Sequence, residues 1–236
     1  MYVSKTPLFA LVPIAALLVG CGSSDPGANP SDGGSTSCTL AAGPLIPWKI
    51  GNKWTYKVTE DGVVSQKVTT IEVAEPVGGM GPNATKMAYK VVTKKGTDDQ
   101  TISWQAPEGD KVLRFREQSF SASTKALELE EHWEPHKLHV DGTAEARADG
   151  AHWIENYKET KMPVGGQPAT TMPTDVWDVL APCEVIQVEG KSYDAIKTRK
   201  TGGSSSQKTY WYVPGVGKVK ETGGQTEELV KFEAAP

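Results

Sequence analysis

From about residue 45 onward, apolar and polar positions alternate over short stretches, which places successive side chains on opposite faces of an extended strand. Over residues 53–59, Trp54, Tyr56 and Val58 face one way, and Lys53, Thr55, Lys57 and Thr59 face the other. Asp61-Gly62 follows as a turn, and residues 63–73 read as the return strand. Residues 78–83 form a Gly/Pro-rich loop, and Met87, Tyr89 and Val91 resume the alternation. Further short runs occupy 101–105, 112–116, 127–133, 152–157, 184–188, 195–198, 209–213, 216–221 and 228–232. About twelve strands joined by Gly- and Pro-bearing turns predict an all-β fold, a curved antiparallel sheet forming a barrel or half-barrel. Two stretches are helix candidates: residues 121–131, where Leu127 and Leu129 fit a strand equally well, and residues 174–180, with Thr174 as cap. Residues 162–173 are long enough to be a flap.

Composition narrows the class. The 236 residues are 38% hydrophobic and 23% charged, with a formal net charge of -4. That is too apolar for a disordered chain and too polar for a multi-span membrane protein. A near-balanced, slightly acidic chain lacks the basic field of an electrostatic nucleic-acid binder, so no nucleic acid is expected as partner.

The first twenty residues differ from the rest. Lys5 precedes an apolar run over residues 7–20, which as a helix would reach about 21 Å and falls short of the ~20 residues of a spanning helix. This is the layout of a secretory signal peptide, assigned to residues 1–20. Its end, Leu18-Val19-Gly20-Cys21, resembles the lipobox of bacterial lipoproteins. The resemblance implies that the Cys21 thiol is diacylglycerated, that the chain is cleaved before it, and that the new amine is acylated, so the membrane is reached through Cys21. Two acyl chains anchor stably where one does not. Gly22, where Asp would signal inner-membrane retention, favours the outer membrane. Residues 22–37 contain nine Gly or Ser and two Pro, too little apolar surface to offset ordering entropy. Residues 21–44 are therefore read as lipidated Cys and flexible tether, and 45–236 as a single β-rich domain.

With Cys21 taken by lipid, Cys38 and Cys183 remain, and two thiols in an oxidising compartment are expected to pair. Such a bridge would pin the end of the tether to the domain.

Pro47-Trp48-Lys49-Ile50-Gly51-Asn52-Lys53-Trp54-Thr55-Tyr56 near the start is matched near the end by Tyr210-Trp211-Tyr212-Val213-Pro214-Gly215-Val216-Gly217-Lys218-Val219-Lys220-Glu221. The pairing of G-x-x-W-x-Y with an aromatic triplet and P-G-V-G resembles a group of uncharacterised bacterial envelope lipoproteins, associated with curved sheets like those of the LolA/LolB lipoprotein carriers. The resemblance implies a concave sheet and no catalytic residues. Core packing is the first reading of these aromatics. The functional alternative makes Trp54, Tyr56, Tyr210, Trp211 and Tyr212 the lining of a site for an acyl chain or glycan.

Other chemistry is sparse. Residues 130–139 hold His132, His136 and His139 among three Glu. On a strand, His132 and His136 stand about 13 Å apart, too far to share one ion unless Pro135 turns the chain. A solvated strand–turn–strand is the expected reading, with no metal. Gly190-Lys191-Ser192 lacks the glycine a P-loop needs, and no nucleophile elbow is present. Asp175 with Asp178, and Glu155 with Glu159, could flank a cleft, but such spacings are common on surfaces. The expectation is a lipid-anchored envelope protein without cofactor, not an enzyme, binding a lipid, an acyl chain or another envelope component. The alternative is a structural or surface-interaction lipoprotein with a filled core and no small ligand.

Overall fold

The computed structural model describes residues 37–96, 99–203 and 207–236. The expected signal peptide, Cys21 and most of the expected tether lie outside the described residues. Fourteen strands run in chain order: β1 Lys53–Glu60, β2 Val63–Pro76, β3 Met87–Lys95, β4 Asp99–Glu108, β5 Lys111–Phe120, β6 Leu127–Asp141, β7 His152–Asn156, β8 Lys158–Pro163, β9 Ala169–Thr171, β10 Thr174–Val188, β11 Lys191–Gly202, β12 Lys208–Val213, β13 Gly217–Thr222 and β14 Thr226–Glu233. A single 3-10 turn, Glu145–Arg147, interrupts them.

All fourteen belong to one antiparallel sheet in the order β7-β10-β11-β12-β13-β14-β1-β2-β3-β4-β5-β6-β8-β9. The expectation of an all-β chain with a curved antiparallel sheet holds: the sheet is curled and does not close. Asp61 and Gly62 form the β1–β2 turn, both with positive φ (49° and 80°), and Glu60 pairs with Val63. This is the mirror-image turn whose twist matches that of the flanking strands. Gly217, at φ 105°, starts β13 where an added Cβ would stand 3.0 Å from the Trp54 Nε1 atom.

Neither helix candidate forms a helix: residues 121–126 make a turn and 127–131 begin β6, while 174–180 lie in β10. In β10 the buried positions are Asp175, Trp177 and Val179, a period of two, and the residues pair with β7 and β11. Residues 127–131 pair with both β5 and β8, so inter-strand hydrogen bonds on two sides override a weak helical pattern. The expected flap is instead the end of β8, a turn and β9, paired as a hairpin.

β7 and β8 stand near opposite ends of the sheet order, yet only Tyr157 separates them in the chain. One extended segment, residues 152–163, thus pairs with β10 through its first half and with β6 through its second. It forms a seam between the two ends of the sheet. Along it, the β6–β8 ladder stops at Glu134. Beyond that point the Glu155 carboxylate of β7 accepts the Leu138 N–H of β6 at 2.5 Å.

The curl brings distant strands together. Trp177 of β10 packs with Trp104, Leu113 and Phe115 of β4 and β5. Tyr212 and Ile196 pack with Val112 and Val140 of β5 and β6, and with Leu45 before β1. Cys38 is bonded to Cys183, with their Cα atoms 5.7 Å apart. The last residues of the expected tether lie against the domain: Leu40 packs beside the cluster around Leu45, and Thr39 N–H donates to Asp194.

Candidate functional site

The alternation that builds β1, β2, β12, β13 and β14 also delivers charged residues to the concave face. Glu227 of β14 is buried at 1% exposure. It pairs with Lys67 of β2 and, at 2.7 Å, with Lys218 of β13. Lys218 also pairs with Glu221, which Lys208 holds at 2.6 Å. The Tyr56 ring lies beneath both the Lys67 and Lys218 ammonium groups. Burial, the largest single influence, would raise both glutamates, but the surrounding lysines together outweigh it, Lys218 foremost with Lys67 beside both and Lys208 beside Glu221, and hold them below the usual carboxylate range. Burial would lower Lys218, yet the same two carboxylates keep it well above its ordinary value. Lys67 goes the other way: burial, then repulsion from Lys218, lowers it to about 8.

A second network lies along the seam. Asp175 is fully buried; it accepts the Tyr157 hydroxyl at 3.0 Å and pairs with Lys200 at 2.5 Å. Glu159 accepts the Trp133 indole N–H at 3.0 Å. Glu155 stands directly across from Asp175 in the β7–β10 register. Burial raises Glu155 to about 7, against the opposing Leu138 N–H and Lys200. Its Oε2, like Asp175 Oδ1, is buried without a hydrogen-bond partner among the described residues. The acid pairs suggested by sequence spacing therefore regroup. Asp178 binds His152 at 2.8 Å and Arg199 at 3.0 Å, and Glu155 faces Asp175, not Glu159.

Glu155 gives a pH prediction. A carboxyl whose folded value exceeds its unfolded value of about 4.3 contributes stability below the unfolded value and loses it as pH rises through about 7. Glu155→Gln keeps an acceptor for Leu138 N–H and carries no charge. It is expected to be more stable than wild type at pH 8, by roughly 1–2 kcal/mol after allowance for solvent screening, and nearly equal at pH 4. Urea unfolding at both pH values checks this, and a difference that does not change with pH would refute it.

The aromatics expected to line a ligand site are split between two packed groups. Trp54, Tyr56 and Trp211 share one apolar cluster. Trp54 stacks on Phe232 at 5.2 Å and donates to the Val216 carbonyl, and the Tyr56 hydroxyl donates to the Lys218 carbonyl. Tyr210 and Tyr212 continue a ladder of stacked rings, Trp153–Trp177–Tyr210–Tyr212, with centroids 5.8–5.9 Å apart. Such contacts stabilise a core beyond the area they bury.

The three histidines of residues 132–139 do not share one site; His132 is buried, and His136 and His139 are half-buried. Pro135 follows a cis peptide bond in a bulge of β6, where three extra residues separate the Arg116–His132 and Arg114–Lys137 pairings, and the strand continues on both sides. His132 is buried against Glu130 at 2.7 Å. The Glu130 carboxylate opposes burial through bonds from Arg116, Gln118 and His132, and is held at about 2. His136 lies edge-on to Phe115. His139 is held well below its usual value by burial and then by Arg114. Among the described residues, no group of three or more His, Cys, Asp or Glu side chains could hold a metal ion.

Two of the openings among the described residues bear on this architecture. One, of about 340 Å³, is lined by Lys67, Lys95, Thr93, Thr101 and Ser119 among others. Its lysines are engaged, Lys67 by Glu227 and Lys95 by Glu60 and Gln225. The other, of about 330 Å³, opens where the start of β5, the end of β6, the 3-10 turn and the start of β7 meet. Its floor is Ala146, Ala151 and Trp153, and its rim is Lys111, Asp141, Thr143, Glu145 and His152. Sequence reading missed this cleft, whose residues come from four separate elements; only Trp153 within an alternating run pointed toward it.

These features define a curled antiparallel sheet with a packed, ion-paired concave face and a mixed polar–apolar cleft at its seam. No protein-family model, curated protein or solved structure matches the chain.

Proposed function

We propose that this chain is a lipid-anchored envelope protein, a non-enzymatic binding module that meets another envelope component at its rim and not through a lipid held within the sheet. The observation that carries this reading is the state of the concave face. The aromatics expected to hold an acyl chain are packed against one another, and the charges beside them are paired. An acyl chain entering there would strip salt bridges of their partners, which costs several kcal/mol for each buried charge left alone. The anchor rests on the lipobox resemblance at Leu18–Cys21, and Gly22 directs the proposal to the outer membrane. The seam carboxylates support a structural role over catalysis, because each has one oxygen engaged by a lysine, a tyrosine or a backbone N–H.

The test is the mass and partitioning of the full chain expressed in a Gram-negative host. Wild type is expected to carry diacylglyceryl and N-acyl mass beginning at Cys21 and to enter the detergent phase, with no further lipid released on denaturation. Cys21→Ser is expected to lose both the added mass and the partitioning. A second, non-covalent acyl mass would overturn the filled-core reading in favour of a carrier. Unmodified Cys21 would overturn the anchor.

A further inference from the structure

The seam cleft has the chemistry of a site for a neutral, hydroxyl-rich ring. Trp153 lines it, yet its only polar atom, Nε1, is buried, so the surface this residue gives to the cleft is all carbon. The ring is held firmly, lying parallel to Trp177 at 5.9 Å and 4°. Ala146 and Ala151 widen the apolar floor.

The rim is mixed in sign. Lys111 offers N–H donors and is bound on one side by Asp141 at 3.1 Å. The Thr143 backbone N–H and hydroxyl both donate to Asp141, and its Oγ1 accepts the Ala146 N–H at 3.3 Å, which leaves one lone pair for a ligand donor. His152 is held through Nδ1 by Asp178, which leaves Nε2 as a second polar atom. The Glu145 side chain stands exposed with no ion pair or hydrogen bond among the described residues. The rim thus holds both donors and acceptors beside an apolar floor. A cationic ligand would meet Lys111, and an anionic one would meet Asp141 and Glu145. A sugar hydroxyl both donates and accepts, so it suits every rim group. The C–H face of a pyranose likewise suits an apolar floor, as small-ligand sites combine apolar walls with a few placed polar groups.

We propose that this cleft binds a pyranose unit of an envelope glycan, with the sugar face on Trp153 and its hydroxyls on Glu145, His152, Thr143 and Lys111. The inference rests on the reading of the protein as a rim-binding module. It does not require the lipid anchor, so the mass test above can fail while this one succeeds.

The experiment is calorimetric titration of the detergent-solubilised full-length protein. The probes are an N-acetylglucosamine trimer, representing the peptidoglycan backbone, and the deacylated oligosaccharide of lipopolysaccharide. Trilysine and inorganic phosphate serve as charged controls. Saturable binding of either saccharide supports the proposal, and the stronger of the two identifies the source of the glycan. Glu145→Ala is expected to weaken binding about tenfold, since it removes a hydrogen bond to a charged group. Glu145 is exposed, so this change leaves the core intact, which near-ultraviolet circular dichroism verifies. Trp153→Ala should abolish binding but also removes a packed ring, so Glu145→Ala and His152→Ala decide the matter. Binding of trilysine or phosphate in place of saccharide would overturn the proposal, as would saccharide binding untouched by both rim variants or no binding of any probe.

Discussion

Reducing the Cys38–Cys183 bridge is expected to destabilise the folded domain by about 2–5 kcal/mol, lowering its melting temperature by roughly 5–15 °C. The bond joins residues separated by 145 positions, and a cross-link over so long a loop removes much of the unfolded chain's freedom in the chain-entropy view. It also acts locally. Cys183 lies in β10 where the pairing with β11 shifts register between Ala181 and Glu184. The bond therefore ties the segment before β1 to an irregular part of a long strand, next to the Thr39–Asp194 contact. Cys183→Ser should reproduce the effect of a reductant, and a reductant should then have no further effect on that variant. Thermal unfolding of both proteins, with and without reductant, is the measurement. A loss below about 1 kcal/mol would mean that the apolar contacts of Leu40 and Leu45 already hold the segment.

Replacing Glu227 by Ala is expected to cost about 3–5 kcal/mol. The side chain is buried and counters both Lys67 and Lys218. Its removal leaves two ammonium groups on the concave face with one fewer carboxylate. Glu227→Gln should cost less, because it preserves shape and hydrogen-bonding capacity. Adding Lys218→Met to Glu227→Gln should recover part of that loss, since removing both partners avoids an uncompensated buried charge. The acid limb follows the same pairing. Glu221 and Glu227 have folded values below their unfolded ones. Their contribution is present above the unfolded value of about 4.3 and is lost as pH falls below it. Acid unfolding of wild type should therefore steepen below about pH 4.5, and Glu227→Gln should flatten that slope. Urea midpoints between pH 3 and 7 test both statements, and a Glu227→Gln slope equal to wild type would exclude this pair as the cause.

Much of the fold was legible in the chain because strand formation leaves a local mark. Trp54, Tyr56 and Val58 alternate with lysines and threonines, Asp61-Gly62 suits only a tight turn, and Pro214-Gly215 with Gly217 separates β12 from β13. The Cys38–Cys183 pairing was reached by elimination. The candidate site was less legible. The five aromatics singled out are core residues, whereas the cleft is assembled from Lys111, Asp141, Glu145 and Trp153, which no spacing rule connects. The 121–131 and 174–180 stretches are ambiguous in sequence because a short apolar run fits either period, and residues 121–126 of the first are a turn. Pairing on both sides makes 127–131 and 174–180 strands.

By itself, the sequence determined the class of element, the places where the chain turns and the residues able to face a core, since each depends on side chains a few positions apart. Only the tertiary structure decided that the sheet curls, unclosed, until residues 152–163 pair with β10 through one half and with β6 through the other. It alone decided that Lys67, Lys218, Glu221 and Glu227 face inward as partners, and that Glu155 meets Asp175 and the Leu138 N–H. Period-two alternation says that a strand has two different faces, but not what will cover each. A buried charge is tolerated only where an opposite charge arrives to meet it, and here Lys67 and Glu227 come from strands 160 residues apart.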